Sequence, residues 1–183
     1  ENKFALCYAG IHGIAQGLEV IINAAEIVKN EENIQFVFVG DGPEKQDLIN
    51  LVKEKELTNV TFLPLQPKTN MPKIVASMDA AIIPLKKLEL FKGALPSKMF
   101  ETLSSEVPII LPVQGEAAKL INNANAGIVV EPENSKEIAE AVLKLYNDIE
   151  LRNSLGENGR AYVIEHYARE NITRKLEKIL VNL

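Results

Sequence analysis

The chain has 183 residues, 46% hydrophobic and 25% charged, which suits one substantial domain with a sizeable core and leaves no case for disorder. Its formal net charge is -5, so no overall field draws it to nucleic-acid phosphates or anionic lipid, and any anion site must be local. The one cysteine, Cys7, cannot close an internal disulfide and, inside an apolar run, reads as a buried inert thiol.

Strand-length apolar runs alternate with helical periodicity six times along the chain. The run at 4–10, FALCYAG, precedes Leu18, Ile21, Ile22, Ala25 and Val28, one face of a helix. IQFVFVG at 34–40 precedes a charged helix that turns Leu48, Leu51 and Val52 inward. NVTFLPL at 59–65 leads to a short helix near 72–77, and DAAIIPL at 79–85 leads to the segment GALPSKMFET. VPIILPV at 107–113 precedes a helix around 117–123, and AGIVVEP at 126–132 precedes one at 135–146. Pro108 and Pro112 bracket the fifth run and limit its pairing. Beyond Asp148 only helical patterns remain, at 151–166 and 169–183.

Runs apolar on consecutive residues are what strands covered on both faces require. The expected fold is therefore α/β: a doubly wound, Rossmann-like parallel sheet of six strands in one domain over 1–183, with a helical tail from about 149. No run approaches the ~18 apolar residues of a membrane span. No export signal is visible, so a cytoplasmic location is expected. The chain opens on Glu1 and enters a strand almost at once, as a domain cut from something larger would.

In such sheets ligands bind beyond the carboxyl ends of the strands, where helix amino termini offer free amides. Three junctions fit. The first, YAGIHGIAQG, spaces Gly10, Gly13 and Gly17 unlike a dinucleotide fingerprint, and its glycines equally suit a plain tight turn. The second, GDGP, places Asp41 where a ribose-binding acid of an NAD site would stand, yet it reads better as a turn whose Pro43 opens the next helix. The third begins a helix at Pro96, so that Ser97 and Lys98 fall in its first turn with Glu101 on the same face. A phosphate there would meet amides, the Ser97 hydroxyl and the Lys98 ammonium, while the Glu101 carboxylate could hold two neighbouring ribose hydroxyls. The competing reading is a simple Lys98–Glu101 pair on a solvated helix.

GDGPEKQDLINLV, NVTFLPL, MDAAIIPL, LPSKMFETLSSEVPII and GEAAKLINNANAGIVVEPENSKEIAEAV occur in an order that resembles the donor-nucleotide half of group 1 (family 4) GT-B glycosyltransferases. LRNSLGENGRAYVIEHYARENI extends the resemblance over nearly the whole chain. YAG with AQGL, and PSK with a following Glu, look most like the bacterial O-antigen and capsule transferases, including the N-acetylfucosaminyltransferase-like branch. The resemblance implies a sugar-nucleotide donor, most often a UDP-sugar, and transfer with retention. It implies a glycan or lipid-linked acceptor held by an amino-terminal half that this chain lacks; no metal or cofactor is expected, because the carboxylates are scattered rather than clustered as ligands.

Carried onto this chain, the resemblance makes Glu101 the second glutamate of the family's Glu-x7-Glu motif, on the ribose. It puts Ser97 and Lys98, after Pro96, at the diphosphate, with Lys98 easing departure of the leaving group. It places Gly10 and Gly13 in the loop under the phosphates, and the base against backbone near Phe62 to Leu65, Leu63 among them, and beside Gly40. Two departures stand out. Gly93 occupies the position of the first glutamate, with Glu89 the nearest acid upstream. Ile11 and Gln16 occupy the positions of a basic pair, which leaves Lys98, helped by Lys92 or His12, to hold more of the charge. Glu116 opens the helix after the fifth strand and reads as structural. The rivals are a sugar-nucleotide 2-epimerase-like domain, a non-catalytic nucleotide-binding module and an NAD domain. The isolated half is expected to bind nucleotide weakly and to transfer nothing, and any peripheral membrane contact would belong to the other half.

Overall fold

The structure, a computed structural model, describes residues 3–181. Glu1 and the last two residues of the expected final helix lie outside the described residues. Six strands, β1 (Phe4–Ala9), β2 (Ile34–Val39), β3 (Val60–Leu63), β4 (Ala80–Ile82), β5 (Ile109–Leu111) and β6 (Gly127–Val129), form one sheet. Their order is β3-β2-β1-β4-β5-β6, every pairing parallel. The helices between them are α1 (Glu19–Ile27), α2 (Lys45–Glu54), α3 (Met71–Ala76), α4 (Ser97–Ser104), α5 (Glu116–Ala124) and α6 (Ser135–Asn147). The tail is α7 (Ile149–Tyr167) and α8 (Arg169–Val181).

Successive side chains of a strand face opposite ways, and here both faces are apolar. Along β1, Phe4, Leu6 and Tyr8 enter a core completed by α1, α2 and α6. Cys7 enters the opposite core with Val37 and Val39 of β2, against Met71 and Ile74 of α3. Met99 and Leu103 of α4, Leu120 and Ile121 of α5 and Val163 of α7 cover β5 on that side. This two-sided burial explains the consecutive apolar runs and gives the doubly wound fold the sequence implies.

The strands on the β4 side are shorter than their apolar runs. β5 spans only Ile109–Leu111 between Pro108 and Pro112, which lack the amide to extend a ladder. The Pro43 reading is corrected slightly: the proline sits in the turn, and α2 starts two residues later at Lys45. The tail divides in two. Asp148 caps α7 by accepting from the Leu151 amide at 2.8 Å, and Arg152 reaches Asp79 at 3.3 Å. Ala168 then turns extended and starts α8, whose Ile172, Leu176 and Ile179 are exposed.

Candidate functional site

The strand order reverses between β1 and β4. β1 runs on to α1 on one face of the sheet, whereas β4 runs on to α4 on the other, which opens a crevice at their carboxyl ends. A cleft of about 510 Å³ occupies this place, walled by Gly10, Ile11, Gly40, Leu65, Lys98 and Glu101. Ala9, Val39 and Ile82 contribute an apolar floor with Cys7, whose thiol burial pushes up to about 12 against the pull of Lys98. Cys7 is thus an inert floor residue.

Gly10 and Gly40 end adjacent strands and touch backbone to backbone. A Cβ at Gly40 would collide with the Gly10 carbonyl, and its φ of +138° is one that other residues rarely adopt. A Cβ at Gly10 would stand 2.5 Å from Lys98 Nζ. The lysine's tip thus occupies space that a side chain at Gly10 would take.

α4 begins at Ser97, directly after Pro96, and no side chain caps its amino end. Lys98 extends from this first turn toward β1. Its Nζ lies 4.6 Å from the centroid of the Tyr8 ring and 3.4 Å from the Tyr8 hydroxyl. No ion pair within 4.0 Å is formed by Lys98 among the described residues, so the simple Lys98–Glu101 pair on a solvated helix is absent. Burial holds the Lys98 ammonium below the ordinary lysine range, although the nearby Glu101 charge partly restores it. Glu101 sits on the same wall, exposed, one turn further along.

His12 is 0% exposed and boxed by the rings of Tyr8, Phe38 and Phe62, with neither ring nitrogen hydrogen-bonded. Burial foremost, then the Lys45 charge, holds its pKa below the ordinary value, so it stays neutral at pH 7. Enclosed in this way, His12 does not share the work of Lys98 at the cleft surface. Its backbone instead fastens two loops: its amide donates to the Asp41 carbonyl at 2.9 Å, and its carbonyl accepts from the Glu44 amide at 3.0 Å.

Lys92 is paired with Glu89 at 2.7 Å on the turn Glu89–Gly93, and neither residue lines the cleft. The loop before α4 is tied across the sheet end, where Glu131 accepts from Lys87 at 2.6 Å and from Gln114 at 3.0 Å. Gly93 faces open space, with nothing within 4 Å of an added Cβ.

Of the residues singled out in the sequence, the cleft brings together Gly10, Ile11, Gly40, Leu65, Lys98 and Glu101. Gly13, Leu63, Pro96 and Ser97 lie outside its lining; Leu63 packs against the core beside Cys7, and Leu65 takes the cleft position in that loop. Gln66, Lys68, Met71 and Thr102 also line it and escaped the sequence reading. Thr102 was findable, since it stands four residues past Lys98 on the same helix face. Gln66 and Lys68 lie in a loop, where no periodicity marks direction.

Residues 1–162 match the family model for glycosyl transferases group 1. The chain belongs to this family. It is 31% identical over 160 residues to alpha-D-kanosaminyltransferase of Streptomyces kanamyceticus, 86% of this chain and 40% of that one. It superposes on Anabaena HepE in complex with UDP with a TM-score of 0.87 at 18% identity, covering 100% of this chain and 50% of HepE. It also superposes on the C-terminal domain of the group 1 family protein LpcC from Francisella tularensis with a TM-score of 0.78 at 20% identity, covering 91% and 87%. The chain therefore spans half or less of the kanosaminyltransferase and of HepE. Among the described residues, no helix is long and apolar enough to cross a membrane, and no group of three His, Cys, Asp or Glu could hold a metal ion.

Proposed function

We propose that this chain is the donor-nucleotide half of a retaining glycosyltransferase, which moves a hexosyl or N-acetylhexosaminyl group from a UDP-sugar to a glycan or lipid-linked acceptor. The observation that carries this reading is Lys98: a cation drawn into a crevice at the switch point, without a carboxylate on it, and with Glu101 on the same wall. An unmatched ammonium beside an uncapped helix end is a receptor for a dianion. The UDP in the HepE complex, on the same fold, favours a uridine diphosphate as that anion.

In this assignment the diphosphate lies against Lys98, the first turn of α4 and the Gly10 loop, the ribose hangs from Glu101, and the base lies between Gly40 and Leu65. Ser97 and Gly13 would join only by contacts made on binding. Transfer breaks the bond from the sugar's anomeric carbon to the diphosphate oxygen and forms one from that carbon to the acceptor hydroxyl oxygen. The hydroxyl proton leaves with the UDP or to solvent. Lys98 stabilises the charge that grows on the departing diphosphate. The acceptor hydroxyl and the opposite wall of the cleft belong to a further half, which the exposed α8 stripe and the apolar rim at Ile11 and Leu65 would meet. An O-antigen or capsule role and an N-acetylfucosaminyltransferase-like branch remain part of this proposal.

Gly93 favours a second reading, a module that binds nucleotide without transfer, because no carboxylate stands where the motif's first glutamate would touch the sugar. Calorimetric titration with UDP, GDP and NAD tests the main reading. Binding of UDP in preference to NAD, with no sugar transfer by this chain alone, is expected. A preference for NAD, or UDP binding unchanged by Glu101→Ala, contradicts it.

A further inference from the structure

Lys98 raises a physical problem. A lysine ammonium drawn from water needs a partner, and among the described residues no carboxylate is within ion-pair distance. What it has is Tyr8, a β1 residue 1% exposed that does not itself line the cleft. The Tyr8 hydroxyl donates to the Ile11 carbonyl at 2.6 Å, so its proton is committed and its lone pair remains to accept from Lys98. The ring face supplies a second attraction through its quadrupole. The ring is itself clamped by His12 and Phe38, at centroid distances of 5.8 and 6.1 Å.

We propose that Tyr8 is a positioning residue for the diphosphate site: it holds the Lys98 ammonium at the mouth of the crevice without neutralising it, and through Ile11 it fixes the loop that approaches the same phosphates. The inference rests on the UDP reading above and deepens it. A carboxylate in this place would pair with Lys98 and cancel the charge that a diphosphate needs. A phenol, which burial keeps in its neutral form, orients the lysine and leaves that charge available. Ile11 and Gln16 contribute no cation at the first loop, so affinity for the anion depends on how well the lysine at the start of α4 is aimed, with Lys68 the other lysine on the cleft wall.

The test is a double-mutant cycle on this chain with Tyr8→Phe and Lys98→Met, read by calorimetry with UDP and by NMR titration with uridine. Tyr8→Phe keeps the ring and the core, and thermal unfolding confirms that it folds. It is expected to weaken UDP binding roughly fivefold, the size of one lost hydrogen bond, while uridine binding stays unchanged. In the Lys98→Met background the same substitution is expected to have a smaller effect on UDP affinity, because only the contact to the Ile11 carbonyl is left to lose. Equal losses for UDP and uridine, an undiminished Tyr8→Phe effect in the Lys98→Met background, or no effect of Tyr8→Phe on UDP would each overturn the inference while leaving the UDP reading intact. If the unaltered chain binds neither UDP nor uridine, the UDP reading falls and the role of Tyr8 with it.

Discussion

In the proposed assignment, Lys98 is costly to the empty fold and useful to the bound one. Burial lowers its pKa in the folded chain, so the unfolded chain holds that proton more tightly, and this residue's contribution to unliganded stability improves as pH rises through the folded value. Diphosphate binding has the opposite sign, since it needs the ammonium. UDP affinity is expected to decline on the alkaline side earlier than an exposed lysine would impose, as calorimetry across alkaline buffers would show. Lys98→Met is expected to raise the unliganded melting temperature, by about 1 kcal/mol of stability, while removing most UDP affinity. Loss of both would mean that the lysine is structural. For Glu101, the carboxylate should discriminate a ribose from a deoxyribose. Glu101→Gln is expected to weaken UDP about tenfold and to erase the preference over 2′-deoxy-UDP, measured by competition. Ile11 is 68% exposed at the cleft edge, so Ile11→Arg meets no packing obstacle. It should strengthen UDP binding several-fold, about 1 kcal/mol, with a steeper salt dependence.

At the scale of elements, legibility followed physical cause. β1 and β2 were readable because burial on both faces writes an unbroken apolar run, and α4 was readable because Pro96 fixes where it starts. The face shared by Lys98 and Glu101 followed from helical spacing alone. Tyr8 was not readable as a site residue, since its ring counts only as one more apolar position in a strand until α4 is folded over it. His12 was offered as a helper at the diphosphate, yet the enclosure that removes it from that task is made by Phe38 and Phe62, distant in sequence. The loop contacts of Gln66 and Lys68 have no period to betray them. α8 has an apolar stripe and little to pack against within this chain, unlike α7, which Arg152 and Asp148 anchor. Removal of residues 169–183 is therefore expected to change the UDP dissociation constant by no more than about twofold, as for other surface changes. A large loss on truncation would show that α8 supports the cleft rather than awaiting another surface.

For the molecule as a whole, the reversal of strand order and the placement of charge lead to one place. The overall negative charge offers no attraction to an anion, so in the proposed assignment the crevice supplies it locally through Lys98, Lys68 and a helix end. In the proposed assignment the opposite wall of the cleft belongs to a further half, so binding and transfer are expected to separate in this chain. A crystal structure of the chain soaked with UDP tests the central claim most directly. The expected result is a diphosphate oxygen at roughly 2.8 Å from Lys98 Nζ, with the ribose hydroxyls on the Glu101 carboxylate. UDP lodged elsewhere, or a crevice empty at saturating UDP, would contradict it.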